Sequence, residues 1–328
     1  MNRSEGPRRT RELSKVGELM SPKTRAALDR LNRSASTNKV LVISIHTNST
    51  EFAELQHRLL KANMLEPFDF AVALDDVQGI SHLDLGRPEL DEHFERLCTS
   101  LDIPLIRIPG WVHADRTILF PETKEEISGD ITNLRAADAL QYVFNIVPWR
   151  KYDSVLLLDA DMFPIRTVTK PDLSRDIPLF AVFQKRSRRS RAIKYFWNGI
   201  FWISSEAPLS HLLNFDCVKD KGLRADTGGR TFHLLEAYSR LGLKIDEMQH
   251  LPSGCWGPED AKVLKLEPGI VSWLDQDYRR REDGNYHAEL YDDRFLHYRG
   301  GSNWSQSDAS IEIQNRKRLA EASKMPQN

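Results

Sequence analysis

Short apolar runs alternate along the chain with stretches in which apolar residues recur at helical spacing. The runs at 40–45, 68–74, 104–108 and 154–158 are typical of strands that are buried in a parallel sheet. Between the first two runs, Phe52, Leu55, Leu59 and Leu60 would share one face of a helix. Because strands and helices alternate, we predict an α/β fold with a mainly parallel, doubly wound sheet and helices on both faces.

The same pattern divides the chain into three parts. Residues 1–38 are polar and rich in Lys and Arg, so we expect a basic, flexible N-terminal extension with one helix over 22–32. Residues 39–305 form the main domain, in which a further helix is predicted at 131–147 and further strands at 179–183, 199–204 and 294–298. Residues 306–328 are expected to form a C-terminal helix or tail. The extension is either a tether for a partner or membrane, or a disordered tail.

Composition and charge exclude several classes of function. The 328 residues include 46 Lys and Arg against 47 Asp and Glu, so the net charge is −1 and no nucleic-acid partner is expected. The cysteines, Cys98, Cys217 and Cys255, are too widely spaced for a zinc site or a disulfide framework and suit a reducing compartment. No apolar run has the length of a signal peptide or a membrane-spanning helix, so we expect a soluble, cytoplasmic protein, with peripheral membrane contact left open.

Two carboxylates, Asp159 and Asp161, follow directly after the apolar run 155–158. In open α/β sheets, ligands bind at the carboxyl ends of the strands. Alternation along a strand puts both side chains on one side, and two carboxylates this close repel each other unless a cation lies between them. Since carboxylate and phosphate oxygens bind hard divalent cations, the pattern predicts a Mn²⁺ or Mg²⁺ site. The alternative is a chance Asp-x-Asp in a surface loop.

The segment KYDSVLLLDADMFPIR (151–166) resembles the metal-binding segment of GT-A glycosyltransferases, especially the glycogenin-like and galactosyltransferase-like group (family eight). WNGIFWIS (197–204) and RFLHYRGGSNW (294–304) are similar to two later motifs of that group, in the same order. The resemblance implies a GT-A type nucleotide-sugar transferase fold with its catalytic domain over 39–305. It implies a metal-dependent glycosyltransferase that moves a sugar from a nucleoside-diphosphate sugar, with UDP-sugar favoured, to a hydroxyl of a glycan, protein or small molecule.

The resemblance also implies which residues hold the metal and the sugar donor. His297 would be the third metal ligand beside Asp159 and Asp161, and one imidazole with two carboxylates favours Mn²⁺ slightly over Mg²⁺. Arg135, on the helix predicted at 131–147, would contact the sugar or the diphosphate.

Two further motifs would contact the same donor. The resemblance implies that Asn198 touches the sugar, while Gly300 and Gly301 let the backbone approach the diphosphate. The family has Lys-Pro-Trp where this chain has Ser-Asn-Trp at 302–304, so the lysine contact is missing. We expect Arg299 to replace it.

The ends of the first two predicted strands are candidates for nucleotide binding. Thr47 and Asn48 follow the first strand and would hydrogen-bond the base or ribose. Asp75 and Asp76 follow the second strand and would bind ribose hydroxyls or the uracil edge. The alternative for all four is turn chemistry, which Asn and Asp favour.

Two acidic segments compete for the catalytic carboxylate. Asp226 resembles the family's acidic residue beside the transferred sugar, where a carboxylate would stabilise positive charge in the transition state; its alternative role is a helix cap. Glu259 and Asp260 resemble a segment of inverting enzymes in which an acid deprotonates the acceptor hydroxyl; their alternative is a solvated loop. Retention and inversion of stereochemistry both stay open.

A basic run, KRSRRSR at 185–191, completes the candidates. It is expected to be a loop that clamps the diphosphate or meets an anionic acceptor or membrane, or one that is merely solvated. Two other functions compete with glycosyl transfer: a metal-dependent nucleotidyltransferase and a non-catalytic nucleotide-sugar-binding module. The first would need a Gly-rich basic loop after the first strand, where this chain reads SIHTNST, and the second would not need both metal carboxylates.

Overall fold

A computed structural model describes residues 19–47, 49–75, 88–114, 116, 119–120, 131–170, 172, 177–188, 191–220 and 223–299. Four predicted site residues, Asn48, Asp76, Gly300 and Gly301, lie outside this part of the chain, as does the predicted tail at 306–328. Among the residues that are described, no helix is long and apolar enough to cross a lipid bilayer.

The larger sheet of the described chain has seven strands, and all but one of them run in the same direction. Across the sheet the order is β10, β6, β7, β4, β1, β2, β3, and β7 is antiparallel to its neighbours β4 and β6. The prediction of a mainly parallel sheet is therefore confirmed. The strands are β1 (Val40–His46), β2 (Phe68–Asp75), β3 (Leu105–Ile108), β4 (Ser154–Asp159), β6 (Leu179–Arg188), β7 (Arg191–Ser204) and β10 (Asp246–Glu247).

The central strand β1 shows why this sheet is buried on both faces. Leu41 and Ile43 belong to one hydrophobic cluster, whereas Val40 and Val42 belong to another, as the alternation of side chains along a strand requires. All four side chains are almost completely buried. Helices therefore cover both faces of the sheet, as predicted.

Eight α-helices lie within the described residues, and their apolar faces complete these clusters. Leu140 and Phe144 pack in the cluster of Leu41, whereas Ala53 and Phe94 pack in the cluster of Val40. The helices are α1 (Pro22–Ser34), α2 (Thr50–Asn63), α3 (Pro88–Ser100), α4 (Trp111–Ala114), α5 (Ile131–Ile146), α6 (Phe232–Leu241), α7 (Pro258–Val263) and α8 (Pro268–Gln276).

Helix α1 lies within the range predicted to be a flexible extension. Its N-cap is Ser21, whose hydroxyl accepts a hydrogen bond from the backbone N–H of Thr24 at 3.1 Å. Ala27, Leu28 and Leu31 are buried in the main core. The predicted helix at 22–32 is therefore part of the packed fold, because its apolar face covers the sheet. The division of the chain at residue 38 otherwise stays a prediction.

A smaller antiparallel sheet packs beside the larger one and was not predicted. Its order is β11, β12, β13, β5, and it buries Trp256, Phe163 and Tyr298 against α2, α7 and α8. Only Ala160 and Asp161 separate β4 from β5, so the predicted metal motif lies where the chain passes from one sheet to the other. The strands are β5 (Met162–Pro164), β11 (His250–Leu251), β12 (Glu289–Tyr291) and β13 (Phe295–His297); β8 (Val218–Asp220) and β9 (Leu223–Ala225) form a separate pair.

The basic run at 185–191 is not the loop that we expected. Residues 185–188 continue β6 and Arg191 begins β7, and the two strands pair here, with Arg188 opposite Arg191 and Lys185 opposite Lys194. The apolar side chain of Ile193, opposite Arg186, is buried against Tyr195, Val218 and Ala225, and this packing extends the strand pairing beyond the main sheet.

Candidate functional site

The order of strands places the predicted motifs at one edge of the larger sheet. Strand order reverses between β1 and β4, since β2 lies on the other side of β1. The register pairs Ile45 with Asp159 and His46 with Leu74, so Thr47, Asp75 and Asp159 all lie at the carboxyl edge. Such a switch point is where open α/β sheets bind ligands.

Asn198 reaches the same edge from the antiparallel strand β7. Ile200 pairs with Leu158, so Asn198, two residues earlier in the chain, lies beyond the end of β4. The predicted sugar contact and the predicted metal carboxylates are therefore neighbours across the sheet.

The turn between β4 and β5 holds both predicted metal carboxylates. Asp161 is 1% exposed, and the backbone N–H of Ala160 donates to Oδ1 of Asp159 at 2.9 Å. The carbonyl of Asp161 accepts a hydrogen bond from the backbone N–H of Tyr298 at 2.8 Å. The turn is thereby tied to β13, the strand that carries His297.

His297 faces Asp161 across this contact. Its Nε2 lies 3.3 Å from Oδ1 of Asp161, and its Nδ1 lies 2.8 Å from Oε2 of Glu289. A carboxylate behind a histidine is the arrangement that orients metal-binding imidazoles. Glu289 could not be predicted from the sequence, because only the register of β12 and β13 places it opposite His297.

The three carboxylates and the imidazole shift one another's charge states. Burial and the neighbouring Asp161 raise the pKa of Asp159 to about 7. Burial lowers the pKa of His297, but Asp161 and Glu289 outweigh it and raise that pKa to about 10. Burial raises the pKa of Glu289, yet its bond to His297 prevails and holds it at about 2. The raised pKa of Asp159 reflects the close, like-charged Asp161, a repulsion that a bound cation would relieve.

The described residues do not by themselves group three His, Cys, Asp or Glu side chains as a metal site would. Asp161 and His297 face each other, and Asp159 lies on the same turn. Divalent cations such as Mg²⁺ are commonly bound by one or two carboxylates with water and substrate phosphates as the other ligands. The residues present therefore fit a cation that protein and diphosphate hold jointly.

The predicted nucleotide residue Asp75 is already bound within the protein. Its Oδ1 accepts from Nε2 of His113 at 2.8 Å and from Arg135 at 3.2 Å, and it is 3% exposed. Nδ1 of His113 lies 3.3 Å from Asp138, which also accepts from Arg116 at 2.7 Å. Asp75 and Arg135 are thus brought together, but as members of a buried charge network. His113 and Arg116 were not predicted, since no spacing in the sequence links them to Asp75.

Aromatic rings line the space between Asn198 and His297. Trp197 stacks on Tyr291 with ring centroids 5.2 Å apart and meets His297 edge to face at 5.0 Å. A Cβ at Gly199 would lie 2.1 Å from Cη2 of Trp197, so any larger residue here would displace the ring. The Trp197 ring thereby packs against the histidine predicted to bind metal.

Asp226 is partly exposed and bound to residues of β6 and β7 near the far end of their pairing. It accepts a hydrogen bond from the hydroxyl of Tyr195 and pairs with Arg186 at 3.1 Å. It does not cap a helix: α6 begins at Phe232 with Thr231 as its N-cap. Tyr195 precedes Asn198 by three positions on β7, which places Asp226 near the same edge.

The other acidic candidates have local partners. Glu259 is largely exposed and pairs with Lys262, and Asp260 accepts from the backbone N–H of Gly257 at 2.8 Å, which caps α7. Arg299 is more than half exposed, and its Nε lies 3.9 Å from Glu289. Arg299 therefore lies near Glu289, which in turn contacts the predicted metal ligand His297.

Comparison with known proteins finds similarity to solved structures at low sequence identity. No protein-family model and no curated protein matches the sequence. The chain is similar to a solved structure of glucosyl-3-phosphoglycerate synthase from Mycobacterium tuberculosis in complex with Mn²⁺, UDP and phosphoglyceric acid. The two are 14% identical over 67% of this chain and 70% of that one, with a TM-score of 0.34. It is also similar to the PaToxG glycosyltransferase, at 14% identity over 92% and 86% of the two chains, with a TM-score of 0.32. Scores this low decide neither the family nor the activity.

Proposed function

We propose that this chain is a metal-dependent glycosyltransferase of the GT-A type, related to the glycogenin-like group. It would transfer a sugar from a nucleoside-diphosphate sugar, preferably a UDP-sugar, to a hydroxyl of a glycan, protein or small molecule. One observation carries the proposal: Asp159 and Asp161 lie at the switch point of the sheet, and Asp161 faces a histidine that the partly buried carboxylate of Glu289 orients. This is the arrangement expected of a cation site that grips a diphosphate.

The proposed metal ligands are Asp159, Asp161 and His297. A cation bound there, Mn²⁺ or Mg²⁺, would neutralise the diphosphate as it leaves the sugar. Arg299, with Gly300 and Gly301, is proposed to bind the same diphosphate. The positive charge of Arg299 already lies near Glu289 and the metal ligands, which supports this role.

The proposed sugar-binding residues lie on β7 and the segment beside it. Asn198 hydrogen-bonds the sugar, and Asp226 stabilises positive charge that develops at the anomeric carbon. Asp226 is held by Tyr195 and Arg186 with one edge open to solvent, as a residue that meets substrate must be. The acceptor hydroxyl attacks the anomeric carbon while the bond to the diphosphate oxygen breaks. Glu259 and Asp260 are the alternative catalytic carboxylates, and either would accept the proton of that hydroxyl.

The proposed nucleotide-binding residues lie at the ends of β1 and β2. Thr47 and Asn48 would bind the base or ribose. Asp75 and Asp76 would bind ribose hydroxyls or the uracil edge, with Asp75 sharing its carboxylate with His113 and Arg135. Arg135 would add positive charge toward the sugar donor.

A screen of sugar donors tests the proposal. UDP- and GDP-sugars are incubated with the protein and Mn²⁺, and free nucleoside diphosphate is measured with and without EDTA. We expect release from one donor, lost with EDTA and lowered by about a hundredfold or more in Asp161→Asn, since the cation supplies several kcal/mol of charge stabilisation.

Asp69→Asn is the matched control, because Asp69 is a carboxylate near the opposite end of β2, bound to Lys39 and Tyr152. It should release nucleoside diphosphate at the wild-type rate. No release from any donor, together with no Mn²⁺-dependent UDP binding by calorimetry, would contradict the proposed function. Mn²⁺-dependent UDP binding without turnover would favour the binding module, and pyrophosphate release from UTP with a sugar phosphate would favour the nucleotidyltransferase.

A further inference from the structure

Gln56 lies buried beneath the turn that joins β4 to β5. Its side-chain Nε2 donates to the carbonyl of Asp159 at 2.7 Å and to the carbonyl of Met162 at 2.8 Å. An amide nitrogen carries two hydrogens, and both are used here. One side chain on α2 therefore holds both ends of the turn that carries Asp159 and Asp161.

His46, the last residue of β1, sets the orientation of that amide. Its Nε2 lies 3.0 Å from Oε1 of Gln56. Because the amide nitrogen of Gln56 donates to the two carbonyls, its oxygen must accept, and His46 must donate. Both residues are 0% exposed, so neither bond competes with bulk water. The turn is thus tied through Gln56 to β1, the strand on the other side of the switch point.

The opposite side of the turn is held as well. The carbonyl of Asp161 accepts from the backbone N–H of Tyr298, next to His297. The turn is therefore fixed between α2 and β13. The carboxylates of Asp159 and Asp161 repel each other. Because the backbone carbonyls of the turn are held by hydrogen bonds, the backbone is not free to shift and carry the two side chains apart.

We propose that Gln56, oriented by His46, is a positioning residue for the carboxylates of Asp159 and Asp161. Its hydrogen bonds to the turn go to two backbone carbonyls, so the role proposed for it is to position the turn and not to bind the cation. Its role toward a cation rests on the proposed function, whereas its role in holding the turn does not. Residues that orient metal ligands typically change metal affinity by about 10–100-fold when they are replaced.

The chain offers a matched control in Asn63. It lies on the same helix, is 8% exposed, and its Nδ2 donates to the carbonyl of Pro164 at 2.8 Å. This bond anchors β5 beyond the turn and does not touch the residues between Asp159 and Met162. Gln56→Met and Asn63→Leu each remove a buried amide and keep its volume.

Two measurements on the full chain test the proposal. Hydrogen exchange of residues 155–162, which end before the carbonyl of Pro164 that Asn63 holds, is followed in the metal-free protein. The change in exchange that each variant's loss of global stability would cause is subtracted. Mn²⁺ affinity is measured from the electron paramagnetic resonance signal of free Mn²⁺. We expect Gln56→Met to exchange about tenfold faster in the turn and to bind Mn²⁺ about 10–100-fold more weakly, while Asn63→Leu matches the wild type in both.

The outcomes separate the two proposals. Unchanged exchange in Gln56→Met, or equal changes in both variants, would overturn the positioning role. Faster exchange in Gln56→Met alone, in a protein that binds no Mn²⁺, would uphold that role and overturn the metal-dependent function. If Gln56→Met does not fold, His46→Phe keeps a ring in the core but removes the donor to Oε1. It should speed exchange of the same residues by a smaller factor, and wild-type exchange in that variant would again overturn the proposal.

Discussion

His297 is held by Glu289, whose Oε2 lies 2.8 Å from Nδ1 of the imidazole. The other ring nitrogen consequently points to Asp161. Glu289 also accepts from the hydroxyl of Tyr291 at 2.9 Å, so its own position is fixed. This pair gives His297 a defined orientation before any ligand binds.

Replacing Glu289 by Gln should weaken metal binding without unfolding the protein. The amide keeps the size of the side chain but no longer holds the imidazole with a negative charge, so we expect Mn²⁺ affinity to fall by about 10–100-fold in calorimetric titrations. Glu247→Gln is the control, because Glu247 forms an exposed pair with Lys194 away from the site. Wild-type affinity in Glu289→Gln would mean that Glu289 only stabilises the smaller sheet.

Gly199→Ala should displace the Trp197 ring. The new Cβ would lie 2.1 Å from Cη2 of Trp197, so the ring must leave its stack on Tyr291 and His297. We expect a loss of about 1–3 kcal/mol in the free energy of unfolding and a changed near-UV circular dichroism spectrum. At Gly110 an added Cβ would meet nothing within 4 Å, so Gly110→Ala should leave both unchanged. Equal behaviour of the two variants would contradict the tight approach at Gly199.

The stability that His113 contributes should depend on pH. Burial lowers the pKa of His113, but its bonds to Asp138 and Asp75 prevail and raise it above the ordinary value. A raised pKa means that the folded state binds the proton more tightly, so the stabilisation is complete below about pH 6.5 and is lost as pH rises through the folded-state pKa. In urea unfolding from pH 5.5 to 8.5, the free energy of unfolding that His113→Asn loses relative to the wild type should therefore become smaller as pH rises. A deficit that does not change with pH would contradict this assignment.

Asp216→Asn should destabilise the protein strongly. Asp216 is 0% exposed and pairs with Arg116 at 2.6 Å and with Arg230 at 3.7 Å. Removing this buried charge breaks both pairs; Arg116 keeps Asp138 as a partner, but Arg230 loses the carboxylate of Asp216. We therefore expect a loss of about 3 kcal/mol in the free energy of unfolding. The exposed pair of Glu236 and Arg240 on α6 is the comparison, and Glu236→Gln should cost less than about 0.5 kcal/mol. Similar losses in both variants would show that the buried ion pairs of Asp216 contribute no more to stability than an exposed pair.

Much of the main sheet could be predicted from local patterns. The runs at 40–45, 68–74 and 154–158 became β1, β2 and β4 with small changes at their ends, because a strand buried on both faces needs an unbroken apolar sequence. The antiparallel direction of β7 was not predictable in this way. A buried strand has the same composition in either direction, and its direction depends on the connection that precedes it.

The candidate site likewise combines residues that could be predicted from the sequence with contacts that could not. Asp159 and Asp161 were recognised as a pair because both follow one apolar strand, and the sequence alone placed them at its carboxyl end. Gln56, which holds their turn, is 103 positions from Asp159, and no periodicity relates the two. Asp75 was predicted to bind the nucleotide because it follows β2, but no local pattern could predict its contact with His113, 38 positions away.

By itself, then, the sequence determined the buried strands β1, β2 and β4 and which carboxylates follow a buried strand, since these depend on neighbouring residues. The tertiary structure alone decided that Glu289 backs His297, that Gln56 and His46 hold the turn, and that Asp75 lies in a buried charge network. These contacts join residues far apart in the chain. They depend on strand order and register, which are set by the packing of the whole domain rather than by any local pattern.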